Sequence, residues 1–256
     1  MNSQINKTHL FSRALALAAL SIVLASPTSH GARKQPLRIL FVGNSYTNQS
    51  WVAIKDVLAG HHLEKHVRGG AKLTGWAKDA KLSEKIKTGR WDYVVLQDQS
   101  QVPSLPGRFV MGFHESSATL DGRIRAAGAK TVFFMTWGRR DGDQQNKNIN
   151  PTFEKMQARL SSSYREAATK LKAKLVPIGE VFAAVKKKHP DLFQKLYKRD
   201  GSHPDRLGAY AAAYSFGWAV PGIDPTAHAK KKGGDFSRVA AAVKKAMGTG
   251  KARAAR

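Results

Sequence analysis

Three residues, one near the start and two near the end of the chain, have types and spacing that suit nucleophilic catalysis. Ser45 follows the apolar run Ile39–Gly43, and Asp200 stands three residues before His203 in the segment DGSHP. A nucleophilic serine needs a base to accept its proton, and the base needs a carboxylate to fix its tautomer. An aspartate and a histidine three apart on one tight loop can form that hydrogen bond locally. The pattern therefore indicates a triad of Ser45, His203 and Asp200.

Each of the two segments also has an ordinary structural explanation. Serine often caps helix N-termini, and Asn44 or Thr47 can cap the helix after the strand equally well. The hydrolase elbow pattern G-x-S-x-G is absent, because Thr47 stands where its second glycine would be. Asp200 can simply hydrogen-bond its own backbone, since Asp-Gly is a common turn dipeptide. The two segments together are more specific than either one alone.

The elements that must position these residues alternate between strands and helices. Short apolar runs predict strands at Ile39–Gly43, Tyr93–Leu96, Thr131–Trp137 and Leu175–Ile178. Apolar periodicity predicts helices at Trp51–Leu58, Ala77–Lys87, Phe109–Ala127, after Pro151, and at Val181–Lys188, Leu207–Val220 and Ser237–Met247. The segment HHLEKHVRGGAKLTGW is interpreted as a connection with a turn at its glycine pair. This alternation predicts an α/β domain with one parallel sheet and helices on both faces.

Four segments between Leu37 and Trp218 form a set: ILFVGNSYT, VRGGAKL, VVLQDQS and DGSHPDRLGAY. With them the sequence resembles the SGNH, or GDSL-like, hydrolase superfamily. The first segment is similar to the family's first block, with GNS where most members have GDS, and the last supplies Asp200 and His203. The pair GNSYT and LQxQS is similar to one branch of that superfamily. The resemblance implies a three-layer, flavodoxin-like fold and serine ester hydrolysis, with no cofactor and no metal.

The resemblance also implies roles for individual residues. Ser45 would be the nucleophile, His203 the base and Asp200 the carboxylate that orients it. Oxyanion holes of the superfamily use the N–H of the serine, an N–H of a second-block glycine and an asparagine side chain of the third block. Gly70 corresponds to that glycine.

The third block departs from the family pattern, because VVLQDQS contains no asparagine. A neutral amide suits the role, since it can face a developing negative charge in a preorganised way. Gln97 or Gln99 can supply that amide, one methylene longer. Both point to the same side if the strand continues, so the sequence does not choose between them. Asn44, in place of the usual aspartate, is a second departure that keeps hydrogen-bonding capacity.

Composition and the first residues bear on where the protein works. The chain has 256 residues, 42% of them hydrophobic, and it has no cysteine, which excludes disulfides and thiolate chemistry. Residues 1–32 combine a basic start, the apolar run Ala14–Ala25 and small residues, which is typical of a signal peptide. Cleavage after Ala25, Gly31 or Ala32 fits, and an uncleaved anchor is the alternative. We therefore expect a periplasmic or extracellular protein with residues 33–248 as the hydrolase-like domain and 249–256 as a basic, disordered tail.

The formal net charge of +25 is concentrated towards the end of the chain, as in Lys186–Lys188 and Lys230–Lys232. A positive surface attracts polyanions, and an acidic polysaccharide is one candidate partner; a solvated face is the plainer explanation. No nucleic-acid-binding module is recognisable, so nucleic acid is not an expected partner. No transmembrane segment is expected in the mature chain.

Several further residues are weaker candidates. His61, His62 and His66 form a cluster in which a helical spacing would permit a shared metal, but no ligand set is completed, so surface histidines are the better interpretation. Trp137 ends a predicted strand and can line a cleft or pack in the core. The carboxylates of Asp141 and Asp143 lie in the following loop and can contact substrate.

Two functional hypotheses follow from these residues. The first is an exported serine esterase that removes a small acyl group, such as acetyl, from a carbohydrate or another small ester. The alternative is a non-catalytic binding protein on the same scaffold that holds an acidic polysaccharide.

Overall fold

A five-stranded parallel sheet forms the middle layer of the protein in a computed structural model that describes residues 35–251, with side chains described as far as residue 248. The strands are β1 (Arg38–Gly43), β2 (His62–Val67), β3 (Tyr93–Leu96), β4 (Lys130–Phe134) and β5 (Lys174–Val176). Their order is β2-β1-β3-β4-β5, and all neighbouring pairs are parallel. The chain therefore changes direction across the sheet between β1 and β3, where open α/β sheets place their ligands.

Helices cover both faces of the sheet. Those in the described part of the chain are α1 (Ser45–Val57), α2 (Leu73–Trp76), α3 (Ala80–Thr88), α4 (Arg108–Ala126), α5 (Phe153–Lys170), α6 (Ile178–Lys188), α7 (Pro190–Lys195), α8 (Arg206–Ala219), α9 (Thr226–Lys232) and α10 (Gly234–Lys251). Phe41 of β1 points to a core shared with α1 and the helices from α6 onwards, whereas Leu40 and Val42 point to a core shared with α2 to α5. Because both faces are buried, β1 is apolar throughout rather than alternating.

This architecture confirms the predicted three-layer α/β fold with a parallel sheet and helices on both faces. The strand Tyr93–Leu96 has the predicted bounds. The interpretation of HHLEKHVRGGAKLTGW as a connection was wrong, because this segment contains the edge strand β2. Its residues HLEKHV are half-exposed and largely polar, as an edge strand with one neighbour allows, so no apolar run marks it.

The helix predicted at Trp51–Leu58 starts earlier, at Ser45. Its first turn is polar in sequence but buried at Tyr46 and Thr47, since it faces the end of the sheet rather than solvent. Hydrophobic periodicity cannot detect a turn whose buried residues are polar.

The two ends of the chain are described only in part. The predicted signal peptide, residues 1–32, lies outside the described residues. Helix α10 continues to Lys251, three residues into the predicted tail, and the rest of that tail also lies outside. Among the described helices, none is long and apolar enough to cross a membrane.

Candidate active site

The turn from β1 into α1 places Ser45 at the carboxyl edge of the sheet. Asn44 caps α1, and its Oδ1 accepts from the Tyr46 N–H at 3.2 Å. A Cβ on Gly43 would lie 2.5 Å from both Gln97 Oε1 and Thr47 Oγ1. Only glycine permits this close approach, so the strand can end directly beneath the serine.

Gln97, the first residue after β3, holds this turn from the neighbouring strand. Its Oε1 accepts from the Asn44 N–H at 3.1 Å and from Thr47 Oγ1 at 2.9 Å. Its Nε2 donates to Asn44 Oδ1 at 2.9 Å and also to the Asp98 carbonyl oxygen. Both amide hydrogens are therefore used inside the fold. The expectation that Gln97 is an oxyanion donor is corrected: its geometry makes it a clamp on the residue before Ser45.

The loop before α8 brings Asp200 and His203 to Ser45, although they are far apart in the sequence. His203 Nε2 lies 2.9 Å from Ser45 Oγ, and His203 Nδ1 lies 2.6 Å from Asp200 Oδ2. Asp200 Oδ1 accepts from the N–H groups of Ser202 and His203, both at 2.9 Å. One carboxylate thus holds the imidazole and also shapes its own loop. The three side chains form a continuous hydrogen-bonded relay, as nucleophilic catalysis by serine requires.

Two aromatic side chains hold this loop in place. Trp137, after β4, is fully buried and donates from Nε1 to the Ser202 carbonyl at 3.0 Å. Its ring stacks on Tyr46 at 4.7 Å, and the Tyr46 hydroxyl lies 2.7 Å from Ser202 Oγ. Of the two explanations for Trp137, core packing is correct, but it also fixes the loop that carries His203.

Burial and hydrogen bonding shift the pKa values of Asp200 and Tyr46 in opposite directions. Burial by itself raises the pKa of Asp200, but the hydrogen bonds from Ser202 and His203 outweigh it and lower that pKa. The carboxylate therefore stays charged and can stabilise an imidazolium. Burial raises the pKa of Tyr46, so its hydroxyl remains a neutral hydrogen-bonding group in the loop support.

A second turn, which carries Gly70, is attached to the turn that carries Ser45. The turn Arg68–Ala71 is closed by the Ala71 N–H on the Arg68 carbonyl at 3.1 Å, and Gly70 has φ +67°, a conformation that glycine favours. Asn44 Nδ2 donates to the Ala71 carbonyl at 3.0 Å, which attaches this turn to the Ser45 turn. Among the described residues, the N–H groups of Ser45 and Gly70 have no hydrogen-bond acceptor.

Gln99, the other candidate for the side-chain donor, folds over its own loop. Its Nε2 donates to Gln101 Oε1 at 2.9 Å, and its Oε1 accepts from the N–H groups of Gln101 and Val102 at 2.8 and 3.3 Å. One amide hydrogen remains after these bonds. Of the two glutamines that the sequence could not separate, only Gln99 keeps a hydrogen for an oxyanion.

The weaker candidates have structural partners. His62 contacts Glu64 at 3.0 Å and His66 contacts Asp79 at 3.6 Å. Both histidines lie on β2 rather than on a helix, and the described residues contain no cluster suited to a metal ion. Asp143 is fully buried and pairs with Arg139 at 2.9 Å, so it holds its loop together.

Sequence reasoning missed three residues at this site. Tyr46 and Ser202 lie inside the recognised segments, but only the fold brings their side chains together. Asp98 is fully buried beside Gln97, and its position in VVLQDQS gave no sign that it turns inward. The direction of a side chain after the end of a strand depends on the loop that follows.

The sequence matches no protein-family model and no curated protein. Among solved structures, a protein from Slackia heliotrinireducens assigned to the SGNH hydrolases is 27% identical, with a TM-score of 0.62 over 72% of this chain and 98% of that one. A DUF4886 family protein from Bacteroides uniformis is 16% identical, with a TM-score of 0.65 over 83% and 95%. The acetyl xylan esterase AlAXEase is 15% identical, with a TM-score of 0.57 over 72% and 100%.

The chain has the SGNH-hydrolase fold. The structures similar to it include an SGNH hydrolase, a GDSL-like lipase and an acetyl xylan esterase. Within the SGNH fold, Ser45 lies at the switch point between β1 and β3, and the His203 loop reaches it from the end of the domain.

Proposed function

We propose that the protein is a serine ester hydrolase in which Ser45 is the nucleophile, His203 the general base and Asp200 the orienting carboxylate. The observation that carries the proposal is the 2.9 Å contact between Ser45 Oγ and His203 Nε2, with Asp200 2.6 Å behind the imidazole. The alternative of a binding protein without catalysis gives no reason for this alignment of three side chains.

The chemistry follows from this order of groups. Ser45 Oγ attacks the ester carbonyl carbon while its proton passes to His203 Nε2, and the carbonyl π electrons move onto the oxygen. The tetrahedral intermediate collapses, the bond to the alcohol oxygen breaks, and His203 returns the proton to that oxygen. Water then attacks the acyl-enzyme with His203 again as base, which releases the carboxylic acid and restores Ser45.

The N–H groups of Ser45 and Gly70 suit the oxyanion formed in both steps, because neither donates to another described residue. The remaining amide hydrogen of Gln99 is the side-chain candidate in place of the family asparagine. Preorganised donors of this kind stabilise the transition state, and each contributes about 2.7–4 kcal/mol.

The substrate class is a small acyl ester, and we propose an acetylated carbohydrate. The acetyl xylan esterase on the same fold supports this choice. We further propose that the chain belongs to the branch that carries the GNSYT and LQxQS motifs, because its sequence contains both segments.

The test is hydrolysis of p-nitrophenyl acetate together with labelling by a fluorophosphonate probe. We expect turnover and stoichiometric labelling of the wild-type protein, and loss of both in Ser45→Ala, with kcat reduced by about 10⁴-fold or more. Thr47→Ser, two residues from Ser45, keeps the hydroxyl that donates to Gln97 Oε1 and serves as the folded control. Unchanged turnover in Ser45→Ala, or a wild-type protein that is neither active nor labelled, contradicts the proposal.

A second feature supports an acidic polysaccharide as partner. Arg68, Lys72 and Arg108 are exposed beside the Gly70 turn, and none forms an ion pair within the described residues. Arg68 lies 4.8 Å from the Trp76 ring, while Lys72 and Arg108 lie 5.8 and 5.2 Å from the same Phe109 ring. Because the like charges of Lys72 and Arg108 repel each other, an anionic group bound between them is electrostatically favourable.

A comparison of acetylated polygalacturonate with acetylated xylan as substrates separates a preference for acidic polymers from ester hydrolysis itself. We expect kcat/KM for the charged polymer to fall as salt is raised from 20 to about 500 mM, and the value for neutral xylan to stay within about twofold. Arg108→Glu should lower only the first value, whereas Lys81→Glu on α3 should change neither. Equal salt responses for the two polymers contradict the acidic preference.

We further propose that the protein acts outside the cytoplasm. The predicted signal peptide of residues 1–32 carries this proposal. Fractionation and N-terminal sequencing of the expressed full chain should find a protein that begins after Ala25, Gly31 or Ala32; an uncut chain retained in the cytoplasm contradicts export.

A further inference from the structure

The buried carboxylate of Asp98 lies between the two turns that form the site, yet the triad chemistry does not use it. Its Oδ1 accepts from the Leu73 N–H at 2.9 Å and from the Gln99 N–H at 2.7 Å. Leu73 starts helix α2, three residues after Gly70. The preceding residue, Lys72, gives α2 no side-chain cap. Asp98 therefore supplies, from another part of the chain, the acceptor that this helix start requires.

Gln97 and Asp98, the two residues after β3, each hold a different part of the site. The side chain of Gln97 clamps Asn44, the residue before Ser45, and that of Asp98 ties down Leu73, just after the Gly70 turn. The Gln97 amide also donates to the Asp98 carbonyl oxygen, so the two clamps are linked. The relative position of the Ser45 and Gly70 N–H groups consequently depends on this dipeptide.

We propose that Asp98 is a positioning residue that fixes the Gly70 N–H relative to Ser45 through its hydrogen bond to Leu73. This inference rests on the proposed ester hydrolysis, and it assigns to Asp98 a role in oxyanion stabilisation without contact with the substrate. A donor displaced by a fraction of an ångström loses much of its effect on the transition state.

The surroundings of Asp98 favour this role over a purely structural one. Its second oxygen, Oδ2, is buried and has no hydrogen-bond partner among the described residues. Tyr164 of α5 faces the backbone of Asp98, whose N–H donates to the tyrosine hydroxyl at 3.3 Å, and Lys72 is the cation that acts on the carboxylate. A buried carboxylate with one unpaired oxygen is costly to keep, which is expected where geometry matters more than stability.

Burial raises the pKa of Asp98 to about 6, although the N–H groups of Leu73 and Gln99 and the charge of Lys72 lower it. Protonation neutralises Oδ1 as an acceptor and weakens the bond to Leu73. Because the folded-state pKa is raised, the charged form disfavours folding, and this group destabilises the protein progressively as pH rises through about 4 to 6. The Asp98→Asn substitution removes that penalty, so the variant should have a lower kcat but no lower stability.

The test compares Asp98→Asn with the wild type on p-nitrophenyl acetate at pH 7.5 and 5.0. We expect kcat to fall about tenfold at pH 7.5 with KM within about twofold, and the difference to shrink below about twofold at pH 5.0, where Asp98 of the wild type is itself mostly neutral. Effects of pH that are common to both proteins cancel from the ratio. The Leu73 amide should exchange hydrogen faster in Asp98→Asn at pH 7.5, and equally fast at pH 5.0.

Asp92→Asn is the matched control, since Asp92 Oδ2 accepts from the Arg38 N–H at 2.7 Å at the opposite end of β3. It should leave kcat unchanged at both pH values. A ratio between Asp98→Asn and wild type that does not change with pH, or a loss of kcat that accompanies a lower melting temperature, overturns the positioning role while ester hydrolysis stands. A wild-type protein without ester turnover overturns the proposed function instead, and the positioning role with it.

Discussion

The two halves of the candidate site are built in different ways. Ser45 follows a buried strand, and Asn44, Thr47 and Gln97 around it are at most 2% exposed. Asp200 and His203 lie on a surface loop, with side chains 49% and 29% exposed. Ser45 is thus fixed by the sheet itself, whereas His203 is held by a short loop and a few hydrogen bonds to that loop.

This difference predicts which substitutions affect folding. Side chains that clamp the Ser45 turn are buried and mutually hydrogen-bonded, so their loss leaves donors and acceptors unpaired. Side chains of the His203 loop are partly hydrated, so their loss affects chemistry with little effect on stability. Activity and the free energy of unfolding should therefore change together on one side of the site and separately on the other.

The largest loss of activity without a matching loss of stability is expected for His203→Ala. Without the base, Ser45 keeps its proton, and kcat for p-nitrophenyl acetate should fall about 10⁴-fold. The free energy of unfolding in urea should change by no more than about 0.5 kcal/mol, since the ring is partly exposed. His189→Ala, on a histidine away from the site, is the control and should retain full activity. Strong destabilisation by His203→Ala would remove the contrast between the two halves.

Gln97→Leu should lower both kcat and the free energy of unfolding. The substitution leaves the Asn44 N–H and the Thr47 hydroxyl without their acceptor, at a cost of about 2–4 kcal/mol, and frees the turn that carries Ser45. We expect kcat to fall about 100-fold and the urea midpoint to decrease in parallel. If activity falls while the midpoint stays constant, Gln97 acts on the oxyanion directly and the clamp is wrong.

The smallest effect is expected for Trp137→Phe, which keeps the stacked ring but loses the Nε1–H bond to the Ser202 carbonyl. Loosening the loop should lower kcat about three- to tenfold, with a loss of about 1 kcal/mol in the free energy of unfolding. Trp91→Phe, at the far end of β3, gives the matched loss of an indole donor and should leave kcat unchanged. Equal activity losses in the two variants would show that Trp137 acts only through stability.

The fold could be predicted because its main signals are local. Strands buried on both faces are short apolar runs such as Tyr93–Leu96, and helices such as α5 repeat apolar residues at a regular interval. Elements with a polar buried side, like the first turn of α1, or with one exposed edge, like β2, carry no such signal and were missed.

The sequence by itself determined the residues that suit the chemistry: Ser45 after its strand, and Asp200 and His203 three apart, where a single loop can join them. Only the tertiary structure decided what the glutamines do, because the direction of a side chain beyond the end of β3 depends on which turns pack against it. Gln97 faces Asn44 and Asp98 faces Leu73, and both contacts join residues 25 or more positions apart. Long-range hydrogen bonds of that kind leave no pattern in the local sequence.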